Sequence, residues 1–515
     1  MPRVVRGLQG RRQLEGGKAM RGKNYIGGKW VDAQGGRKYE SRNPARTDEV
    51  LGAVPLSSSE EAEQAVASAK EAFPAWRALS HIKRGEFIER FVDLVKAEAD
   101  DIGRLVAQEA GKALNEARAD VVEGIHMAQY MFGYARMPQG QALPSEIAQK
   151  DAYMLRKPKG VVSVITPWNF PFAIPIWLIT PSLLQGNTVV FKPSEETPLV
   201  GEKLVECFER AGLPPGVLNL VQGMGEEVGW PLVVHPDVEV VLFTGSYEVG
   251  ARIKEACAKD YRKMCACEMG GKNAMIICQD ADLELAVRAA ILSAFKTTGQ
   301  RCTSASRLII HESRTDEFAK AFVAMAKRII LGDPLDERVF MGPLINEAAV
   351  KKVGFYNQLA KNEGAEVLLD GDRLEKGEHR KGYFFSPFIY RMAHLRDARV
   401  LHEEVFGPHV ALIPFRTLEE AIAIHNDVEY GLAFSVITED YRTARVLQGA
   451  CEFGIGYWNL PTIGAEVHLP FGGVKKSGTG MPASWPLLDV VTHKVAWTVN
   501  HDREIKMAQG MSAEV

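Results

Sequence analysis

The stretch VEVVLFTGSYEVGARIKEACA, residues 238–258, decides the fold. It opens on a nearly unbroken run of Val, Leu and Phe, the composition of a strand buried on both faces. Gly245 then lets the chain turn, and Ser246 is a residue type that caps helix starts. The spacing after it predicts a helix over 248–258. A buried strand, a tight Gly turn and a helix make half of a parallel βαβ unit.

The same alternation recurs outward. Apolar runs sit at VVSVIT (161), TVVFK (188), VLNLV (217) and AMIIC (274), with a helical stretch at 199–211. They predict a doubly wound α/β sheet over roughly 150–270. Upstream, Ile88, Phe91, Val92 and Val95 have i, i+3, i+4, i+7 spacing, which predicts one amphipathic helix over 82–110. Downstream a second α/β series is expected: helix 282–296, strand RLIIH (307), helix 315–330, strand VALIPF (410) and helix 418–426. The charged, Gly-rich region 361–383 reads as surface. The tail LDVVTHKVAWTVN, 488–500, reads as a late strand that pairs across a boundary.

Composition excludes several function classes. The chain has 515 residues with 62 basic and 65 acidic side chains, a formal charge of −3. That balance offers nothing to nucleic acid. The longest apolar segment, 164–181, carries Pro167, Pro171, Pro175 and Pro181, which argue against a membrane span. Seven cysteines in this length are neither a disulfide framework nor a zinc pattern, and no metal is expected. The setting implied is a reducing cytoplasm. Residues 1–19 carry five basic side chains without an apolar core and read as an unstructured extension, with a transit-like arm as the alternative.

The chemistry concentrates at a few places. TTGQRCTSASR, 297–307, sets Cys302 among small polar residues, where a thiolate has room to act. Taken alone, the stretch leaves nucleophile and buried structural cysteine open. TPWNFPF, 166–172, places Asn169 after a strand, where a side-chain amide can donate to an oxyanion. FKPSEETP, 191–198, puts Lys192 and Glu195 at a strand end facing the crevice where such sheets bind nucleotides. FTGSYEVG offers Ser246 and free N–H groups at a helix start, a site for phosphate. GMGEEVG has G-x-G-x-x-x-G spacing, a weak dinucleotide signal. CEMGGKN ends a strand at Glu268, a candidate general base.

From about residue 24 onward the chain resembles the NAD(P)-dependent aldehyde dehydrogenase superfamily. PWNFP, KPSEETP, FTGS, EMGGKN, GQRCT, EEVFGP and PFGG occur in that family's order and spacing. The resemblance implies a Rossmann-like cofactor domain (20–139 and 160–269), an α/β catalytic domain (270–470) and a small bridging β unit (140–159 and 486–515) that builds homodimers or homotetramers. It implies Cys302 as nucleophile, Glu268 as general base and Asn169 as oxyanion donor. The cofactor expected is NAD, with NADP possible. Lys192 and Glu195 would hold the adenosine ribose, Ser246 the pyrophosphate, Glu404 the nicotinamide ribose, and Phe406 would pack near the nicotinamide. Ile165, Thr166, Trp168, Gly225, Gly229, Thr244, Gly245 and Met269 complete the expected cofactor contacts. Glu195 favours NAD, since a carboxylate against the ribose repels a 2′-phosphate.

WNLPTIGAEVHLPFGG, GQRCTSASRLIIHE and TVNHDREIKMAQG are similar to the antiquitin-type branch, which oxidises α-aminoadipic semialdehyde. That similarity implies that Arg301 binds the substrate carboxylate and Glu123 its ammonium group, with Phe170, Ala173, Trp177 and Thr303 around them. Against these stand two plainer readings: Arg301 braces its own loop, and Glu123 is a solvated helix carboxylate. SGTGMPASWP, 477–486, departs from the family at Met481 and Pro482, where relatives carry Arg-Glu. Other functions weighed are a broad-specificity or glutamate-semialdehyde enzyme, a coenzyme A-acylating enzyme, a cysteine hydrolase and a non-catalytic scaffold.

Overall fold

The computed structural model describes residues 4–5, 20–481 and 483–509. Pro482 therefore lies outside the described residues. So does the extension 1–19, apart from Val4–Val5, which pairs with Lys38–Tyr39 as a short strand instead of lying free.

The opening stretch folds as read. Strand Val238–Thr244 leads through Gly245 into helix Tyr247–Ala258, and the Ser246 hydroxyl accepts the Val249 N–H at 3.4 Å. Across the first sheet the order is Met264–Glu268, Val238–Thr244, Val161–Ile165, Thr188–Lys192, Leu218–Leu220, all parallel. A hairpin, Asn24–Ile26 and Lys29–Val31, then closes one edge antiparallel. The Val161–Ile165 and Thr188–Lys192 strands are buried at every position, because helices cover both faces. The apolar segment after residue 164 becomes helix Ala173–Leu184, buried almost throughout. Among the described residues no helix is long and apolar enough to cross a membrane.

The second sheet runs Glu366–Leu369, Phe388–Arg391, His409–Phe415, Ala305–His311, Asn273–Ile277, Ala433–Ile437, Ile455–Trp458, parallel except at the first pair. The chain passes from one sheet to the other through Met269–Lys272. Glu268 is thus the last residue of one sheet's edge strand, and Asn273 the first residue of a central strand of the other. The crevice between the two sheets opens at that crossing.

Three expectations change. The helix expected over 82–110 is two, His81–Ala97 and Ala99–Ala110. Glu98 leaves helical geometry between them, and its carboxylate pairs with Lys203 and Arg210 on helix Pro198–Arg210. The apolar period runs through the break because both halves face one core, where Phe91 stacks on Phe208 at 3.9 Å. The 361–383 region contributes an edge strand, Glu366–Leu369. The tail forms a short helix, Leu487–Val490, before strand Thr492–Asn500. That strand pairs antiparallel with Lys150–Pro158, which also pairs with Gly140–Leu143.

Gly454 marks how closely the turn before Ile455–Trp458 approaches the Pro-Phe-Gly-Gly turn: a Cβ there would sit 1.7 Å from the Gly472 oxygen. Gly354, inside helix Glu347–Asn362, has nothing within 4 Å. Gly454→Ala should therefore lower the melting temperature by several degrees or prevent folding, while Gly354→Ala should hold or raise it by roughly 0.5–1 kcal/mol of stability. Equal behaviour of the two variants in a thermal melt would contradict the packing at Gly454.

Candidate active site

The loop carrying Cys302 is bent by three successive left-handed residues, Thr297 (φ 53°), Thr298 (φ 58°) and Gly299 (φ 68°). For a β-branched residue this costs on the order of 1–3 kcal/mol each. The cost is met by a buried carboxylate. Glu116 accepts from the Thr297 N–H at 2.9 Å, the Thr297 hydroxyl at 2.7 Å and Arg301 Nη2 at 2.7 Å. Burial alone would raise the Glu116 pKa, but Arg301, Lys296 and the Thr297 bonds outweigh it and hold it below the ordinary value. Hydrogen bonds to a charged group contribute roughly 1.5–3 kcal/mol each, so three of them exceed the strain of two threonines. Thr298 adds a bond to the Gly342 oxygen at 2.9 Å. At Gly299 a Cβ would fall 2.3 Å from the Gly407 oxygen, so only glycine lets this loop nest against the loop of Glu404 and Phe406. Phe406 is itself left-handed, at φ 61°.

Held in this way, Cys302 lines a cavity of about 330 Å³ together with Asn169, Trp168, Thr244, Gly245, Ser246, Met269, Glu404 and Phe406. Asn169 Nδ2 donates to the Gln300 oxygen at 3.1 Å, which fixes the amide orientation and leaves its second N–H for an oxygen in the cavity. Lys112, buried, donates to the Asn169 oxygen at 2.9 Å and to Asp120 at 3.1 Å, and lies 3.5 Å from the Phe170 ring centre. Burial, then Glu404 and Glu268, push the Cys302 thiol up to about 12, against weaker help from Arg301 and the Thr303 N–H. The resting group is a thiol and needs a base or a nearby positive charge.

Glu268 is buried. One carboxyl oxygen accepts the Gly473 N–H at 3.1 Å and the other has no partner among the described residues. Burial holds its pKa well above the carboxylate range. An unpaired oxygen and a raised pKa suit a group that takes and returns a proton. In this conformation the carboxyl turns toward Gly473 and Gly478, where a Cβ on Gly478 would lie 3.2 Å from Oε2, and it does not line the Cys302 cavity.

The residues expected at the cofactor are arranged along the crevice. Lys192 Nζ and Glu195 pair at 2.8 Å at the carboxyl end of strand Thr188–Lys192. Ile165 and Thr166 end the neighbouring strand, and the Thr166 N–H reaches the Lys192 oxygen at 3.3 Å. The Gly245 N–H reaches the Glu268 oxygen at 3.0 Å, and Ser246 stands at the open N-terminus of its helix. Gly225 is exposed and unobstructed and Gly229 is buried, the two ends of a single turn leading into helix Trp230–Val234. Glu404 accepts the Gly271 N–H at 2.8 Å, and a Cβ on Gly270 would lie 2.2 Å from its Oε2. Lys272, buried, donates to the Glu403 oxygen at 2.7 Å and steadies the same loop. Trp168 meets Phe406 edge to face at 5.6 Å. A strand-end carboxylate, a helix N-terminus and a cavity reaching the thiol fit a dinucleotide.

The substrate-side residues divide. Glu123 accepts from the Trp177 indole at 3.1 Å, and Trp177 meets Phe471 edge to face at 5.7 Å. Burial and then Asp120 raise Glu123 to about 7, so it is not a solvated surface carboxylate. Arg301 is committed to its own loop: Nε donates to the Thr297 hydroxyl at 2.8 Å and Nη2 to Glu116, with the guanidinium 5.0 Å from the Phe170 ring centre. This is the bracing arrangement. Ala173 is a correction: fully buried, it presents no surface to a ligand, and its N–H goes to Asp120 at 2.8 Å. Thr303 is buried, and its oxygen accepts the Thr462 hydroxyl at 2.7 Å.

Several residues were not anticipated. Glu116 and Asp120 lie seven and three positions before the expected Glu123 along helix Leu114–Tyr134, and they bury their carboxylates against the Thr297 and Ala173 loops. That acidic stripe was the available signal. Lys112, Lys352 on the cavity wall and Tyr457, whose buried hydroxyl has no partner, carry no local signal. Glu116→Gln keeps the size and removes the charge. Aldehyde oxidation is expected to fall about 10–100-fold, the loss of one to two tens in rate at 1.4 kcal/mol each, with the melting temperature within a few degrees of the parent. An unchanged kcat would show that something else holds the loop.

The aldehyde dehydrogenase family matches residues 30–493. The chain is 40% identical over 458 residues to the α-ketoglutaric semialdehyde dehydrogenase of Bacillus subtilis (strain 168), covering 88% of this chain and 93% of that one. It is 37% identical over 466 residues to the mitochondrial succinate-semialdehyde dehydrogenase of Arabidopsis thaliana, covering 90% and 87%. A crystal structure of betaine aldehyde dehydrogenase from Staphylococcus aureus in complex with NAD+ superposes with a TM-score of 0.91 at 33% identity, over 96% of this chain and 97% of that one. With its motifs in order and these matches over most of its length, the chain belongs to the aldehyde dehydrogenase family.

Proposed function

We propose that this chain oxidises an amino-acid semialdehyde to the carboxylic acid with NAD, with α-aminoadipic semialdehyde as the representative substrate. The observation that supports the reaction is Cys302 in one cavity with Asn169 and the open helix end at Ser246. NAD, when bound, accepts the hydride. Glu268, ionised once its carboxyl leaves its buried place and turns toward the thiol, accepts the Cys302 proton, and the thiolate adds to the aldehyde carbon. The free N–H of Asn169 and the Cys302 backbone N–H hold the oxyanion of the thiohemiacetal. After hydride loss the acyl group remains on Cys302 as a thioester. Glu268, having passed the thiol's proton to solvent, then takes a proton from the attacking water; the tetrahedral adduct collapses, the C–S bond breaks, and Cys302 leaves as thiolate while the acid departs. A hydrolytic base beside the thioester argues against resolution by coenzyme A.

The observation that supports the substrate class is Glu123. It is half-buried, held by Trp177, and close enough to Tyr457 to help push that phenol up to about 12 after burial, as Cys302 does. A half-buried carboxylate held by Trp177 attracts an ammonium group at the far end of the aldehyde. Arg301 is already paired, so the carboxylate of an amino-acid substrate is not assigned to it. A second reading, a semialdehyde ending in a carboxylate, is favoured by the names of the two relatives; Glu123 would repel such a substrate. Glu195 favours NAD over NADP. The sheet of Thr492–Asn500, Lys150–Pro158 and Gly140–Leu143 exposes Leu143, Leu155 and Trp497, which supports a homo-oligomer joined through that unit.

Two tests follow. Cys302→Ala should abolish NADH formation and retain NAD binding; more than a few per cent of residual activity would sink the nucleophile assignment. Glu123→Gln should lower kcat/KM for α-aminoadipic semialdehyde about 10–100-fold, worth roughly 1.4–2.8 kcal/mol, and leave a neutral aldehyde of equal length unchanged. Glu123 is raised to about 7, so it is charged above that pH and neutral below. KM for the ammonium substrate should therefore rise as pH falls through 7 in the parent and stay flat in Glu123→Gln. A preference for α-ketoglutaric semialdehyde would favour the second reading.

A further inference from the structure

Three thiols that the reaction does not use meet at the edge of the first sheet. Cys265 and Cys267 alternate along strand Met264–Glu268, so they share one face. That face packs on helix Tyr247–Ala258, whose buried positions are Gly250, Ile253 and Cys257. Cys267 Sγ lies 3.9 Å from the Gly250 oxygen. The helix runs back along the strand, so its last turn, with Cys257, comes down beside the strand's first residues. Cys257 and Cys267 are buried in one apolar cluster, and Cys265, half-exposed, packs against it. All three thiols therefore lie at one helix–strand contact. Among the described residues no group of three or more His, Cys, Asp and Glu has the arrangement of a metal site.

The trio divides into an accessible thiol and buried partners. Contacts from Cys257 and then Cys267, with the Lys254 charge, favour the thiolate of Cys265, while both buried neighbours are held as thiols. A half-exposed thiol packed against a cluster that holds a buried thiol is the arrangement in which oxidation is captured as a disulfide.

We propose that Cys265 is a peroxide-oxidised site resolved by Cys257, closing a disulfide between the helix Tyr247–Ala258 and the strand Met264–Glu268. The Cys265 thiolate attacks hydrogen peroxide, takes one oxygen as sulfenic acid and releases hydroxide. The Cys257 sulfur then attacks the Cys265 sulfur, the S–O bond breaks, and water leaves with the Cys257 proton and the proton of the sulfenic acid. Two thiols are oxidised by two electrons in all, and one peroxide is reduced to two waters. The helix tied in this way begins at Ser246 and the strand ends at Glu268, so the bond constrains both sides of the crevice.

The experiment uses Cys302→Ala protein, which removes the nucleophile as a competing oxidation site. It is treated with hydrogen peroxide and examined by intact mass and non-reducing peptide mapping. The result expected is loss of two hydrogens, restored by dithiothreitol, with peptides joined through Cys257 and Cys265. In the Cys257→Ser form of the same protein the mass should instead rise by one oxygen, trapped at Cys265 by dimedone. No loss of two hydrogens, or a bond that maps to Cys207, Cys278, Cys451 or a second chain, would overturn the proposal. So would a mass change unaltered by Cys265→Ser. Because the readout is mass, it does not depend on which aldehyde the enzyme takes.

Discussion

The left-handed turn at Thr297–Gly299 is the constraint on which the site depends. Two threonines in that region are held against their own preference by one buried carboxylate, Glu116, and only glycine fits the third position against the Gly407 oxygen. The turn aims Cys302 at the crevice, presents the Gln300 oxygen that orients Asn169, and locks the loop of Glu404 and Phe406 in place. Strain at this point is therefore what brings the Cys302 thiol from one sheet to the Asn169 amide from the other.

Electrostatics explain why the resting site is quiet. Cys302 and Glu268 are both pushed toward their neutral forms, chiefly by burial, and neither has an ion-pair partner. Glu404 adds negative potential near the thiol. A positive charge entering beside these groups lowers the cost of the thiolate. Activation is thereby tied to occupancy of the crevice, and an empty site keeps its thiol protonated.

Much of the fold was legible because parallel strands buried on both faces read as continuous Val, Ile and Leu runs. The strands at 161, 188, 238 and 274 stand where those runs lie. The break at Glu98 was not legible, since both helices turn the same apolar period toward one core. Cys302, Glu268 and Asn169 stood out because motifs carry them. Glu116 and Lys112 did not: a carboxylate in a helix and a lysine after a glycine look solvated until distant loops close over them. Arg301 shows the converse. Its place beside the nucleophile suggested a substrate anchor, yet its partner, Glu116, lies 185 residues away in sequence. Ala173 likewise follows the right motif but faces the core.

The central claim is that the acyl group passes through Cys302 and is released by Glu268. The measurement that tests it most directly is a single turnover of Glu268→Gln with NAD and aldehyde, followed by NADH absorbance and intact mass together. The account predicts one equivalent of NADH per site in a rapid burst, then near arrest, with a hydroxylamine-labile acyl group mapped to Cys302. Slow NADH formation with no burst and no adduct would contradict it, because hydride transfer, not thioester hydrolysis, would then be the step that Glu268 serves.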